Sequence, residues 1–213
     1  MQVLRKSFAV PVLFGCLAAA ASLAGCGPVG QGQRKLIADY HGLDDKSVAI
    51  VVFTAQANTD EFPNARKEIS AYVANKFRLH MPTSRLMNYD EIIQWQDETI
   101  NWFGLSEKDI GKHFSVDRVV YIEVLAYEAR SDKSYGDLQG HLRANCKVFE
   151  TDTPGNTPAW SGVIDVTWPQ YKPVAASQTN EITVRTRTLD NFADALVGHF
   201  YDHEKEDIPL HNR

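Results

Sequence analysis

The chain has 213 residues, of which 44% are hydrophobic, and a formal net charge of −5. This composition belongs to a globular protein and excludes a disordered one. The mildly acidic balance excludes the basic stripe of a nucleic-acid binder and a polybasic patch for anionic lipids.

The first stretch sets the address. Arg5 and Lys6 precede an apolar run from Phe8 to Leu23, which ends in Leu23-Ala24-Gly25-Cys26. A charged start, an apolar middle and small residues at the end form a secretion signal. The bland alternatives are a transmembrane anchor and a cleavable signal that merely contains a cysteine. The run is 16 residues, interrupted by Pro11, which is short against the ~20 residues of a span. The small residues end on a cysteine, and in this the stretch resembles the lipobox of bacterial lipoproteins. That resemblance implies cleavage before Cys26 and acyl chains on it, the thiol being the nucleophile that accepts the diacylglycerol. Two or more chains, at about 0.8 kcal/mol per buried CH₂, anchor stably where one does not. Gly27 rather than an aspartate follows the cysteine. By resemblance to the enteric sorting pattern, this favours the outer membrane, facing the periplasm, with the inner membrane as the alternative.

Residues 1–25 are thus expected as a lipoprotein signal peptide and 26–45 as a lipid-anchored tether and lead-in. A single α/β domain is expected over 46–203, and a polar tail over 204–213. Losing Arg5 and Lys6 with the signal leaves 188 residues and a charge of −7. Gly27, Pro28, Gly30 and Gly32 make the tether flexible.

Ser47 to Thr54 is β-branched and nearly continuous in apolar residues, so it predicts a central strand buried on both faces. Ala65 to Leu79 predicts a helix, with Ala65, Ile69, Tyr72, Val73 and Phe77 on one face. A short strand follows at about Ser84 to Met87. Asn88 with Glu91 reads as a capping box for a second helix, whose inner face is Tyr89, Ile92 and Ile93. Ser106 with Asp109 starts a third, flanked by Leu105 and Ile110 at staple spacing and ending near Phe114.

Arg118 to Ala126 is a second strong strand. Leu138 to Glu150 alternates strictly: Leu142, Ala144, Cys146 and Val148 face one way, and His141, Arg143, Asn145 and Lys147 the other. Such alternation belongs to a sheet with one wet face. After the Thr151–Pro158 turn, Trp160 to Trp168 alternates as its hairpin partner. The last helix is predicted from Glu181 or Thr183 to Tyr201, with Leu189, Phe192, Ala193, Leu196 and Phe200 inside. The expected fold is α/β: a mixed sheet in two or three layers flanked by helices, in the order β-α-β-α-α-β-β-β-α. Cys16 leaves with the signal and Cys26 is acylated, so Cys146 has no disulfide partner in the chain. It reads as a small buried apolar residue.

Three patterns resemble a group of envelope domains: the N-terminal domain of the Tol system's periplasmic protein, the curli-export channel lipoproteins and the lipoprotein activators of penicillin-binding proteins. They are Val48 to Phe53 with the Ile69 helix, Arg85 to Ile93, and Ile110 to Glu123. Trp160-Ser161-Gly162 matches a tryptophan-containing strand of the group. The resemblance covers about Lys46 to Tyr201 and implies a binding or assembly module rather than an enzyme. The channel branch inserts membrane strands of about ten alternating residues. The charged Tyr127–Gln139 link and the Pro169–Leu189 stretch lack that pattern, which argues against a pore, although an oligomeric export-channel-like component stays as an alternative.

No phosphate-binding glycine loop, nucleophile elbow or paired-cysteine zinc spacing is present. His199 and His203, four apart on the last predicted helix, could share a metal, and a metal-dependent enzyme is the second alternative. The bland reading is a polar, fraying helix end. Asp90, Glu91, Asp97 and Glu98 read as capping and solvation rather than an acid–base pair. The His141, Arg143 and Lys147 face would suit an acidic partner or a glycan, or be a solvated sheet face. No catalytic residue, metal or cofactor is assigned. The sequence favours Trp102, Phe103, Trp168 and Tyr171 as contacts for an envelope protein partner, since Trp and Tyr are enriched at interface anchors. The competing reading is that these rings cap the core.

Overall fold

The computed structural model describes residues 35–55, 62–130 and 136–204. The expected signal, Cys26, the tether from Gly27 and residues 205–213 of the expected tail lie outside them. In chain order the elements are β1 (Lys35–Leu36), β2 (Ser47–Thr54), α1 (Ala65–His80), β3 (Arg85–Leu86) and α2 (Tyr89–Glu98). A 3₁₀ turn (Trp102–Gly104) and α3 (Glu107–His113) follow, then β4 (Arg118–Arg130), β5 (Asp137–Glu150) and β6 (Trp160–Trp168). The chain continues through β7 (Val174–Ala175), α4 (Glu181–Val197) and β8 (His203–Glu204). The main sheet runs β3-β2-β4-β5-β6, with β7 also on β5. It is parallel across β3, β2 and β4 and antiparallel from β4 onward. The fold is mixed α/β, in the expected element order with three two-residue strands added.

The pattern of apolar residues explains the layers. Val48, Ile50 and Val52 of β2 pack with Ile69, Val73 and Phe77 of α1 and with Leu189, Phe192 and Leu196 of α4, in the main core. Ala49 and Val51 point the other way, into a smaller core with Ile92 of α2, Ile110 of α3 and Trp102. A strand sandwiched by helices on both faces has to be apolar throughout. On β5 the alternating set Leu142, Ala144, Cys146 and Val148 is fully buried against the main core. Burial pushes the Cys146 thiol up to about 12, which leaves it protonated and unreactive.

Local signals place the helix starts. Asn88 Oδ1 accepts from the Asp90 N–H at 3.1 Å, so α2 carries a simple N-cap where a capping box with Glu91 was expected. Ser106 Oγ accepts from the Asp109 N–H at 3.2 Å and itself donates to Asp109 Oδ2 at 2.7 Å. Asn180 Oδ1 accepts from the Thr183 N–H at 2.8 Å, fixing the start of α4 at Glu181.

Three expectations are corrected. The lead-in before residue 46 belongs to the folded domain: β1 pairs with β8, and the Asp39 and Tyr40 N–H groups donate to the His199 carbonyl at 2.8 and 3.2 Å. Leu43 is fully buried in the main core. Arg118, itself buried, ties this segment down by donating from Nε to the Gly42 carbonyl at 3.1 Å. The last helix ends at Val197 rather than Tyr201, where the chain turns so that Phe200 can enter the core. Of the described residues in the charged link expected over Tyr127–Gln139, all but Gly136 lie in strands, with β4 running to Arg130 and β5 starting at Asp137. Among the described residues, no helix is long and apolar enough to cross a membrane.

Candidate functional site

β2 leads through α1 to β3 on one side of the sheet, while β4 leads to β5 on the other. The connections therefore diverge at the carboxyl ends of β2 and β4, which is where open α/β sheets leave a crevice. A cleft of about 530 Å³ lies at this end of β2, lined by Phe53, Thr54, Ala55, Arg66, Gln96, Asp97, Trp102 and Phe103.

Each lining residue has a local reason to be there. β3 accompanies β2 only as far as Leu86, opposite Val48. Further along that edge, the Val52 carbonyl has no strand partner. Gln96, four residues after Ile92 on the buried side of α2, fills the gap: its Nε2 donates to the Val52 carbonyl at 3.1 Å. Gln96 is only 4% exposed, and its Oε1 has no hydrogen-bond partner among the described residues. Arg66, in the first turn of α1, pairs with Asp97 near the end of α2, so an ion pair joins the two helices beside the cleft.

The aromatic wall comes from the 3₁₀ turn, entered through Asn101 in the left-handed region at φ 61°. The Trp102 ring packs 5.9 Å from Phe53 and 6.2 Å from Trp95. Only 7% of Trp102 is exposed, so it is a core residue. Phe103, 6.2 Å from Phe53, is 58% exposed and forms the rim. Of the Trp102–Phe103 pair, only Phe103 is mostly exposed.

Trp168 ends β6, opposite Gly140, and is half-buried. Its peptide bond to Pro169 is cis, and Gln139 Nε2 donates to the Pro169 carbonyl at 2.9 Å, tying the loop to β5. Tyr171 is 69% exposed. This loop lies beyond the same end of the sheet as the cleft but does not join it. From Glu123, beside Phe53, to Glu128, beside His141, is about 17 Å along β4, and β2 to β6 is about 14 Å across the sheet.

Several of the remaining candidates pair with neighbours. His199 Nδ1 lies 2.6 Å from Asp39 Oδ2, and His203 Nδ1 lies 3.1 Å from the Tyr201 carbonyl. With α4 ended at Val197, the two histidines do not share a helical face. No group of three His, Cys, Asp or Glu side chains is placed to hold a metal among the described residues. Asp90 pairs with Lys67 at 2.8 Å, Asp97 with Arg66, and Glu98 accepts from Gln94 at 2.8 Å. On the open face of the sheet, Asp165 takes His141 at 2.9 Å and Arg143 at 3.7 Å, and Glu123 accepts from Asn145 at 3.2 Å. Asp165 thus offsets the positive charge around Arg143 on that face.

Sequence reasoning did not single out Phe53, Arg66 or Gln96 for this site. Gln96 leaves one legible signal: a polar amide four residues from Ile92, on the stripe that faces the sheet.

No family model and no curated protein sequence matches the chain. The solved structures it is similar to include the PelC dodecamer from Paraburkholderia phytofirmans, at 11% identity and TM-score 0.46, covering 78% of this chain and 95% of that one. The lipoprotein GNA1162 from Neisseria meningitidis is similar at 13% identity and TM-score 0.40, covering 71% and 95%. A minor lipoprotein from Acinetobacter baumannii is similar at 10% identity and TM-score 0.35, covering 76% and 99%. Likenesses of this size carry neither an activity nor a partner across.

Proposed function

We propose that the chain is a lipid-anchored envelope lipoprotein whose α/β domain binds a protein partner, in envelope assembly or maintenance, without catalysis. The observation that carries this is Leu23-Ala24-Gly25-Cys26 behind a basic start and an apolar run. A cysteine at that place is the nucleophile a lipid anchor requires, and Gly27 favours the outer membrane. The proposed kinship is with the Tol-type, curli-export and penicillin-binding-protein-activator group. Support for binding comes from the rings left outside. Phe103 and Tyr171 are 58% and 69% exposed at one end of the sheet, in a domain that buries Phe77, Phe149, Phe192 and Phe200 completely or nearly so.

Cys26→Ala tests the anchor. It should release the protein from the membrane fraction and remove the acyl mass from its mature N-terminus; unchanged association and mass refute the lipoprotein. Crosslinking in intact envelopes with mass spectrometry tests the partner. Phe103→Ala and the double change Trp168→Ala/Tyr171→Ala should each weaken the captured complex, by about 1–3 kcal/mol if these rings are hot spots. Capture of no specific protein removes the binding reading. Stoichiometric zinc in the purified protein, lost on His199→Ala, would replace it with the metal-enzyme reading.

A further inference from the structure

β6 is the last strand on one side of the sheet. It pairs with β5 residue for residue, from Trp160 opposite Val148 to Trp168 opposite Gly140, with no bulge. Among the described residues, no backbone hydrogen bond reaches it from the other side. Folded proteins blunt such edges with very short strands, bulges, proline or lysine. The opposite edge strand, β3, has only two residues. β6 has nine, and none of them is a proline, lysine or arginine. Its one charged residue, Asp165, is held toward β5 by His141 at 2.9 Å and Arg143 at 3.7 Å. A strand added at this edge would replace water on the outer N–H and C=O groups with a second ladder.

The strand's own sequence points to the occupant. Trp160-Ser161-Gly162-Val163-Ile164-Asp165-Val166-Thr167-Trp168 reads almost alike from its two ends, about Ile164. We infer that β6 pairs antiparallel with β6 of a second copy of this chain, with Ile164 opposite Ile164. Trp160 of one copy then lies opposite Trp168 of the other, Ser161 opposite Thr167, Gly162 opposite Val166, and Val163 opposite Asp165. Trp160, Ile164 and Val166 pack on the main core, while Ser161, Val163 and Asp165 are exposed on the other face. The inner face therefore matches ring with ring and small with branched, and the outer face matches hydroxyl with hydroxyl. Pairs of these kinds stabilise antiparallel strands. A centre at Asp165 would instead set two carboxylates directly opposite each other, which disfavours that register. The contact uses the same patch on both copies, so it closes at two. α4 lies over β5 and β6. Its copy would lie about two strand spacings away, ~10 Å, which is the separation of packed helices. The inference rests neither on the lipid anchor nor on a second kind of protein.

The test is sedimentation equilibrium of the full chain in density-matched detergent, from micromolar to near-millimolar concentration. A reversible monomer–dimer equilibrium is expected. The double change Ser161→Glu/Thr167→Glu sets like charges opposite each other twice across the dimer and should weaken it about tenfold. Within one copy the new carboxylates lie opposite Lys147 and His141, so this variant keeps its fold, as unchanged far-UV circular dichroism would verify. Ser161→Lys/Thr167→Lys should weaken the dimer by a similar factor. An equal mixture of the two variants should recover it, as a heterodimer with opposite charges facing. Leu79→Ala, exposed on α1, should change nothing. Association through the apolar N-terminal run in a shared micelle would ignore every one of these changes. A monomer at all concentrations overturns the inference. So does a dimer, or a larger assembly, that is indifferent to both charge variants. Weakening by both variants without recovery on mixing overturns it too, because the proposed register requires residue 161 to face residue 167.

Discussion

Gly140 tests whether the seat of α4 on the sheet is as tight as the geometry says. It lies on β5 opposite Trp168, with its α-carbon against α4. A Cβ there would lie 2.0 Å from Thr188 Oγ1, 3.0 Å from Thr188 Cβ and 3.1 Å from Val184 Cγ1. The first distance is more than an ångström too short for any non-bonded contact. Thr188 is fully buried and its hydroxyl donates to the Val184 carbonyl at 2.8 Å. Relief therefore requires either a new Thr188 rotamer, which leaves a buried hydroxyl unpaired, or a shift of α4 away from β5. Overpacking of this kind costs about 1–3 kcal/mol, and an orphaned buried hydroxyl costs a similar amount. Gly140→Ala should thus lower stability by about 2 kcal/mol, or roughly 4–8 °C in Tm for a domain of this size. Thr188→Ala alone should cost about 1 kcal/mol. The double variant should be more stable than the sum of the two by 1 kcal/mol or so, because the worst clash goes with Oγ1. Urea unfolding of the four proteins, with unchanged slopes, measures the cycle. Gly140→Ala at wild-type stability, or strict additivity, would refute the argument.

Leu43→Ala should destabilise the domain by roughly 2–4 kcal/mol, since Leu43 is fully buried in the main core; a cost near zero in urea unfolding would return the lead-in to the tether. Asp117 should shape the acid limb of stability. Its carboxyl is held below its ordinary 3.8, first by the Ser47 backbone N–H and then by the Ser47 hydroxyl. A depressed carboxylate contributes stability above the unfolded value and loses it as pH falls through the native one. Asp117→Asn should therefore be less stable than wild type at neutral pH and converge with it below pH 3.8. A gap independent of pH would count against this role.

Much of the architecture was legible because its signals are local. Period-two alternation in β5 and β6, the three- and four-residue spacing in α1, and the side-chain caps at Asn88 and Ser106 each act within a few residues. The unbroken apolar run of β2 already implied cover on both faces.

What only the tertiary structure decided depends on residues far apart in sequence. The two-residue strands β1 and β8 are too short to have a period, and each exists because the other is beside it, Lys35 against Glu204. Trp102 and Phe103 are neighbours of equal apparent promise, yet one is 7% and the other 58% exposed. The left-handed turn at Asn101 and the position of Phe53 decide which ring goes in. Gln96 acquires its meaning from β3, which stops at Leu86 and leaves the Val52 carbonyl for a side chain to take. Backbone groups at a sheet edge must be paired by something. Which residue pairs them is settled by how the strands line up, and that alignment is written nowhere within α2 itself.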